Sequence, residues 1–221
     1  MKFSLATTIT PVADVLAETL MARLARGRVL WLLSGGSCIG VAVAAADRLR
    51  ATGVNLADLT VSLIDERYGA AGHPDSNWAQ LQAAGMSLPG AKLAPVLTGG
   101  TMDHTAAQFA AMFEHHLKNS YCLGLLGIGP DGHIAGIKPH SPAVTATGFV
   151  SAYDWSDYQR ITATGHTLAK LDEIMVYAVG EAKWPVLDAL EHRNLPAAEQ
   201  PAQLIKHHPA VTIFTDRPEV V

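Results

Sequence analysis

Short apolar runs alternate with stretches of helical period along most of this chain. Residues 28–33, 59–64, 122–126, 174–179 and 210–214 are compact apolar runs that read as buried strands. Between them, apolar positions recur every three or four residues. Val12, Val15, Leu16, Leu20 and Leu24 mark a first helix, with Thr10 as its cap, Pro11 at its first position and Gly27 at its end. An alanine-rich helix covers residues 41–49 and stops at Gly53. A short helix is expected at 78–84. A longer one is expected at 105–117, with Phe109, Met112 and Phe113 on or near one face, and another after Lys183 through Glu191. Residues 139–156 read as irregular or strand-like, and 160–162 have strand propensity. Strands alternating with helices predict an α/β fold of three layers: a mostly parallel, Rossmann-like sheet with helices on both faces. No repeat, low-complexity tract or linker interrupts it, so one domain over residues 1–221 is expected.

Four of the predicted strands end in polar, turn-forming segments: Ser34-Gly35-Gly36-Ser37, Asp65-Glu66-Arg67, Asp131-Gly132-His133 and Gly180-Glu181-Ala182-Lys183. In a parallel sheet these ends share one edge, where open α/β proteins bind ligands. His133 there can exchange a proton near neutral pH. The alternative is a turn whose histidine is only solvated. Ser34, Gly35, Gly36 and Ser37 precede a helix, whose free N–H groups favour anions. The loop has neither a Walker ending nor a GxGxxG pattern, and an ordinary tight turn is the other reading. Asp65 can accept a proton and Arg67 can bind an anion; alternatively Asp65, Glu66 and Arg67 form a local ion pair. Arg160 and Lys183 are candidate phosphate clamps, or else solvated surface cations.

Composition narrows the function. Hydrophobic residues make up 49% of the 221, enough for a sizeable core. The formal net charge of -4 gives no case for nucleic acid, while a few local cations still suffice for a phosphate. Cys38 and Cys122 both lie in or beside apolar runs and read as buried, reduced thiols, which fits a cytoplasmic protein. No signal peptide is expected, and the most hydrophobic window, 29–46, is broken by Ser34-Gly35-Gly36-Ser37, so no membrane span is expected. The pairs His115-His116 and His207-His208 lack further ligands at metal-site spacing, and no metal is expected.

Taken in order, the motifs resemble the superfamily of 6-phosphogluconolactonases and glucosamine-6-phosphate isomerases (deaminases). Leu33-Ser34-Gly35-Gly36-Ser37 is similar to its phosphate loop. Asp65-Glu66-Arg67-Tyr68 with Ser76-Asn77 is similar to its second motif, and Gly127-Ile128-Gly129-Pro130-Asp131-Gly132-His133 to its signature. Arg160-Ile161-Thr162 and Gly180-Glu181-Ala182-Lys183 resemble its late phosphate-binding segments, and Leu195-Pro196-Ala197 recurs near the end. The lactonase branch fits better, because the deaminase branch carries a glutamate where this chain has Lys138, before Pro139. Two departures from the lactonase pattern stand out: Ser37-Cys38 in the phosphate loop, and Gly136-Ile137-Lys138 after His133.

The resemblance implies a fold of the sugar-phosphate isomerase type. It implies hydrolysis of a phosphorylated sugar lactone, most simply 6-phosphogluconolactone of the pentose phosphate pathway, with no cofactor. His133 would be the base, supported by Asp131 or Asp65. Ser34, Gly35, Gly36, Ser37, Arg67, Arg160 and Lys183 would hold substrate. Amino-sugar phosphate isomerisation or deamination, and sugar-phosphate binding without turnover, stay open, as do a monomeric and a homo-oligomeric state.

Overall fold

A computed structural model describes residues 1–218. The central sheet has seven strands, all parallel. They are β1 (Lys2–Leu5), β2 (Val29–Leu33), β3 (Leu59–Leu63), β5 (Lys92–Leu93), β6 (Tyr121–Leu126), β9 (Glu173–Tyr177) and β10 (Val211–Thr215), in the spatial order β1-β10-β9-β6-β2-β3-β5. A second, antiparallel sheet has the order β4-β8-β7, from β4 (Asp65–Arg67), β7 (Val150–Asp154) and β8 (Gln159–Ala163). The helices are α1 (Ile9–Leu24), α2 (Cys38–Thr52), α3 (Asn77–Ala83), α4 (Met102–Asn119), α5 (Gly165–Leu168) and α6 (Trp184–His192).

The apolar runs become the middle of the large sheet because a parallel strand is covered on both faces. Every residue of β2 and β3 is buried, and Trp31 lies fully inside. The connections β1-α1-β2, β2-α2-β3 and β3-α3-β5 run in one direction across the sheet. Those through α4, α5 and α6 run in the other. Right-handed crossovers therefore set the first three helices on one face and the last three on the opposite face. The direction changes between β2 and β6, which makes the gap beyond their carboxyl ends the topological switch point. Leu33 pairs with both Leu63 and Leu125, so neighbouring strands end level there.

Several expectations shift. Helix α1 starts at Ile9 with Thr8 as cap, not at Pro11; proline is accommodated in the first turn, where its missing N–H has no partner to lose. Val15 is exposed. Asp65–Arg67 is not a loop but a strand that hands the chain from the large sheet to the small one. Residues 159–163 pair with it antiparallel. Strand β1 was not expected; it is a short edge strand, with both ends exposed, that pairs only with β10. Helix α4 matches its pattern, with Phe109 and Phe113 buried and Met112 half-buried. Among the described residues, no helix is long and apolar enough to cross a membrane.

Candidate active site

A cavity of about 310 Å³ opens at the switch point. Its walls come from the loops after β2 and β6, from Asp65 and Arg67 on β4, from Asn77 at the start of α3, from Lys183 after β9, and from Tyr158 and Arg160 at β8. The four polar strand ends picked out from sequence thus converge on one space. Of the candidate residues, Ser34, Gly35, Gly36, Ser37, Asp65, Arg67, His133, Arg160 and Lys183 line it, while Asp131 stands behind His133.

The histidine loop is tightly wound. Gly129 N–H donates to the His133 carbonyl (3.0 Å) and Gly132 N–H to the Gly129 carbonyl (2.9 Å). Ala202 N–H donates to the Gly132 carbonyl (2.9 Å), so the segment after Leu195-Pro196-Ala197 braces the loop from outside. A Cβ on Gly129 would lie 2.2 Å from the His133 ring and 2.6 Å from Asp131 Oδ1, so only glycine lets the ring fold back over this strand end. Asp131 Oδ1 is 2.5 Å from His133 Nδ1, and Lys138 Nζ is 3.0 Å from Asp131 Oδ2. Burial would raise the Asp131 carboxyl, but the bonds and charges of His133 and Lys138 outweigh that and hold it well below the usual carboxylate range. With Nδ1–H donating to Asp131, Nε2 of the neutral ring is an acceptor. Of the two aspartates that sequence offered, Asp131 is the one bonded to the ring.

The opposite wall combines a helix N-terminus with cationic side chains. The N-terminus of α2, fifteen residues long, follows Ser34-Gly35-Gly36-Ser37 and has no acidic residue in its first turn. Ser34 Oγ is buried without a hydrogen-bond partner. Gly35 passes so close to Asn77 that a Cβ would lie 2.1 Å from Asn77 Oδ1, itself buried and unpartnered. Lys183 Nζ lies 3.4 Å from Ser37 Oγ, and burial lowers the Lys183 ammonium from its ordinary value. Arg67 and Arg160 pair directly across the β4–β8 ladder, with guanidinium carbons 4.9 and 5.8 Å from the Tyr158 ring. Like charges placed opposite one another cost stability unless an anion joins them. Arg160 is buried and bonds Asp157 (2.7 Å), yet its Nε has no partner.

Asp65 and Glu66 point to opposite sides of β4, as strand alternation requires. Asp65 lines the cavity. Burial pushes its carboxyl up to about 6, against the pull of Arg160 and with help from Glu66. Glu66 is fully buried and accepts bonds from Ser76 Oγ and from the N–H groups of Arg67, Asn77 and Trp78, at 2.7 to 3.1 Å. The three residues therefore form no mutual ion pair. Glu66 instead caps the start of α3 and fixes Asn77 at the cavity wall. Sequence reasoning gave Tyr158 no place in the site, and it named Asn77 only as part of the Ser76-Asn77 motif, without assigning it a role; Ser76 caps α3.

The remaining candidates stay outside. Cys38 and Cys122 are buried thiols, each pushed up to about 12 by desolvation, so neither is a nucleophile. The His115 and His116 rings meet edge-on, and His208 is buried against the Leu171 carbonyl (2.8 Å). Among the described residues, no group of three or more His, Cys, Asp or Glu side chains is arranged to hold a metal.

Fold and site together define an α/β protein whose switch-point cavity sets the start of α2 and several cationic side chains beside a histidine–aspartate pair. A family model described as glucosamine-6-phosphate isomerases/6-phosphogluconolactonase matches residues 4–214, and the chain belongs to that family. It is 28% identical to a 6-phosphogluconolactonase of Synechocystis over 64% of each chain. It is 29% identical to a glucosamine-6-phosphate deaminase of Beutenbergia cavernae over 92% of this chain and 85% of that one. The fold is similar to the crystal structure of a 6-phosphogluconolactonase from Shewanella baltica, with a TM-score of 0.82 at 21% identity over 97% of each chain.

Proposed function

We propose that the protein hydrolyses a phosphorylated sugar lactone, 6-phosphogluconolactone, to 6-phosphogluconate. The observation that carries this reading is that an Asp131-held imidazole shares one cavity with the start of α2 and four cationic side chains, Arg67, Lys138, Arg160 and Lys183. The match to the family model over residues 4–214 supports treating the chain as one sugar-phosphate domain. The two buried free thiols favour a reducing, cytoplasmic setting.

In this mechanism the phosphate sits at the α2 N-terminus on Ser34, Gly35, Gly36 and Ser37, with Lys183 and Arg160 as counter-charges and Arg67 beside them. Binding the remote phosphate fixes the lactone carbonyl near His133. Nε2 takes a proton from water while the water oxygen bonds to the carbonyl carbon. Backbone N–H groups of the glycine-rich run after β6 stabilise the resulting oxyanion. Collapse breaks the bond to the ring oxygen, which receives the proton from Nε2, and the product leaves as an open-chain acid. Asp131 keeps Nδ1 protonated throughout and stabilises the transient imidazolium. Asp65, across the cavity, adds negative charge facing that cation.

The match to a deaminase over 92% of this chain motivates a second reading, amino-sugar phosphate isomerisation with loss of ammonia. It would use Asp65 to move a proton between carbons, and Lys138 counts against it, since an ammonium cannot replace a carboxylate in proton relay. The discriminating experiment offers the protein 6-phosphogluconolactone and, separately, glucosamine 6-phosphate. Acid release from the first above the spontaneous rate, with no ammonia from the second, is expected. Ammonia release without lactone turnover would transfer the assignment to the second reading.

A further inference from the structure

Lys138 is the departure from both branches that the structure brings into the site. The chain doubles back after His133: Ile134 bridges to Ile128 and to Ile137, Ile137 N–H donates to the Ile134 carbonyl (3.0 Å), and Ala135 takes a left-handed conformation at φ 50°. Ile134 and Ile137 are fully buried and anchor the turn. This return places Lys138 Nζ 3.1 Å from His133 Nδ1 and 3.0 Å from Asp131 Oδ2. The Lys138 side chain is 15% exposed, against 44% for Asp131, so the ammonium is the inner member of the pair.

Nδ1 has one in-plane position for a hydrogen bond, and Asp131 Oδ1 occupies it at the shorter distance. The ammonium therefore acts on the ring by charge. Asp131 alone would favour the imidazolium, which is useless as a base. A cation 3 Å from the ring disfavours it, and also neutralises Asp131. The other charged groups facing the cavity are Asp65 from β4, Asp157, Arg67, Arg160 and Lys183. Of these, Asp65 and Asp157 favour the imidazolium, and Asp157 is paired with Arg160. We propose that Lys138 is a positioning residue that lets Asp131 fix the tautomer of His133 while keeping the ring neutral, with Nε2 free to accept a proton. The catalytic meaning of this proposal rests on the hydrolase reading above; the electrostatic statement does not.

The test follows ring protonation directly, by the pH dependence of the His133 Cε1–H resonance in histidine-labelled protein, assigned by its loss in His133→Gln. In Lys138→Met the ring is expected to protonate at a pH higher by about one unit, and Lys138→Arg is expected to return it close to the original midpoint. Lys138→Gln serves if the methionine variant does not fold. The acid limb of kcat/KM should move by the same amount in the same direction. An unchanged or lower midpoint in a folded, charge-removed variant overturns the proposal, even if that variant is less stable. A shifted resonance in a protein that turns over no lactone would keep the electrostatic role and refute only the hydrolase reading.

Discussion

Replacing Asp65 by asparagine should make this protein more stable and less active. Asp65 is 6% exposed, and burial moves its carboxyl from an ordinary value of 3.8 to about 6. Between those values the folded protein holds a proton that the unfolded chain has released. The contribution of this group is therefore most favourable below pH 3.8 and is lost as pH rises through about 6. Above that, the folded state carries the full cost of a buried charge, about 3 kcal/mol. The attraction of Arg160 is already contained in that shift. Asparagine keeps the shape and cannot ionise. Asp65→Asn is expected to raise the unfolding free energy by up to about 3 kcal/mol at pH 7.5, and by about half of that at pH 5. Urea unfolding followed by tryptophan fluorescence at the two pH values measures both. Lactone turnover should fall by about tenfold or more in the same variant, as expected where a functional charge is kept at the expense of stability. A variant no more stable than the parent at pH 7.5 would refute the reasoning.

Two further substitutions test how the site is held. Gly129→Ala drives a methyl into the His133 ring and Asp131, and kcat/KM should fall by about 100-fold while KM changes little, since about 1 Å of misplacement suffices for such a loss; steady-state kinetics checks it. Glu66→Ala removes an acceptor bonded to four donors, three of them at the start of α3, and should cost about 3 kcal/mol or more, read from urea midpoints.

The five inner strands of the large sheet were legible because they are buried on both faces, whereas the exposed edge strands β1 and β5 were missed. Runs such as Val29–Leu33 and Leu59–Leu63 need no long-range information to be recognised. The same logic predicted where the polar strand ends would gather. The small sheet was only partly legible: 160–162 carried strand propensity and became part of β8, but Asp65–Arg67 is polar and finds that partner far along the chain. Glu66 illustrates the same limit: beside Arg67 in sequence it suggests an ion pair, yet strand alternation turns it away from the cavity and onto α3. The choice between Asp131 and Asp65 depended on the loop geometry set by Gly129, and the approach of Lys138 on a left-handed Ala135. Neither signal lies in periodicity or composition.

The central claim is that His133 is the base in lactone hydrolysis. Its most direct test is the rate of 6-phosphogluconate formation from 6-phosphogluconolactone generated in situ, measured above the spontaneous background for the parent protein and for folded His133→Ala. The account predicts rapid turnover by the parent and a kcat at least about 100-fold lower in the variant. Turnover by the variant close to that of the parent would contradict it.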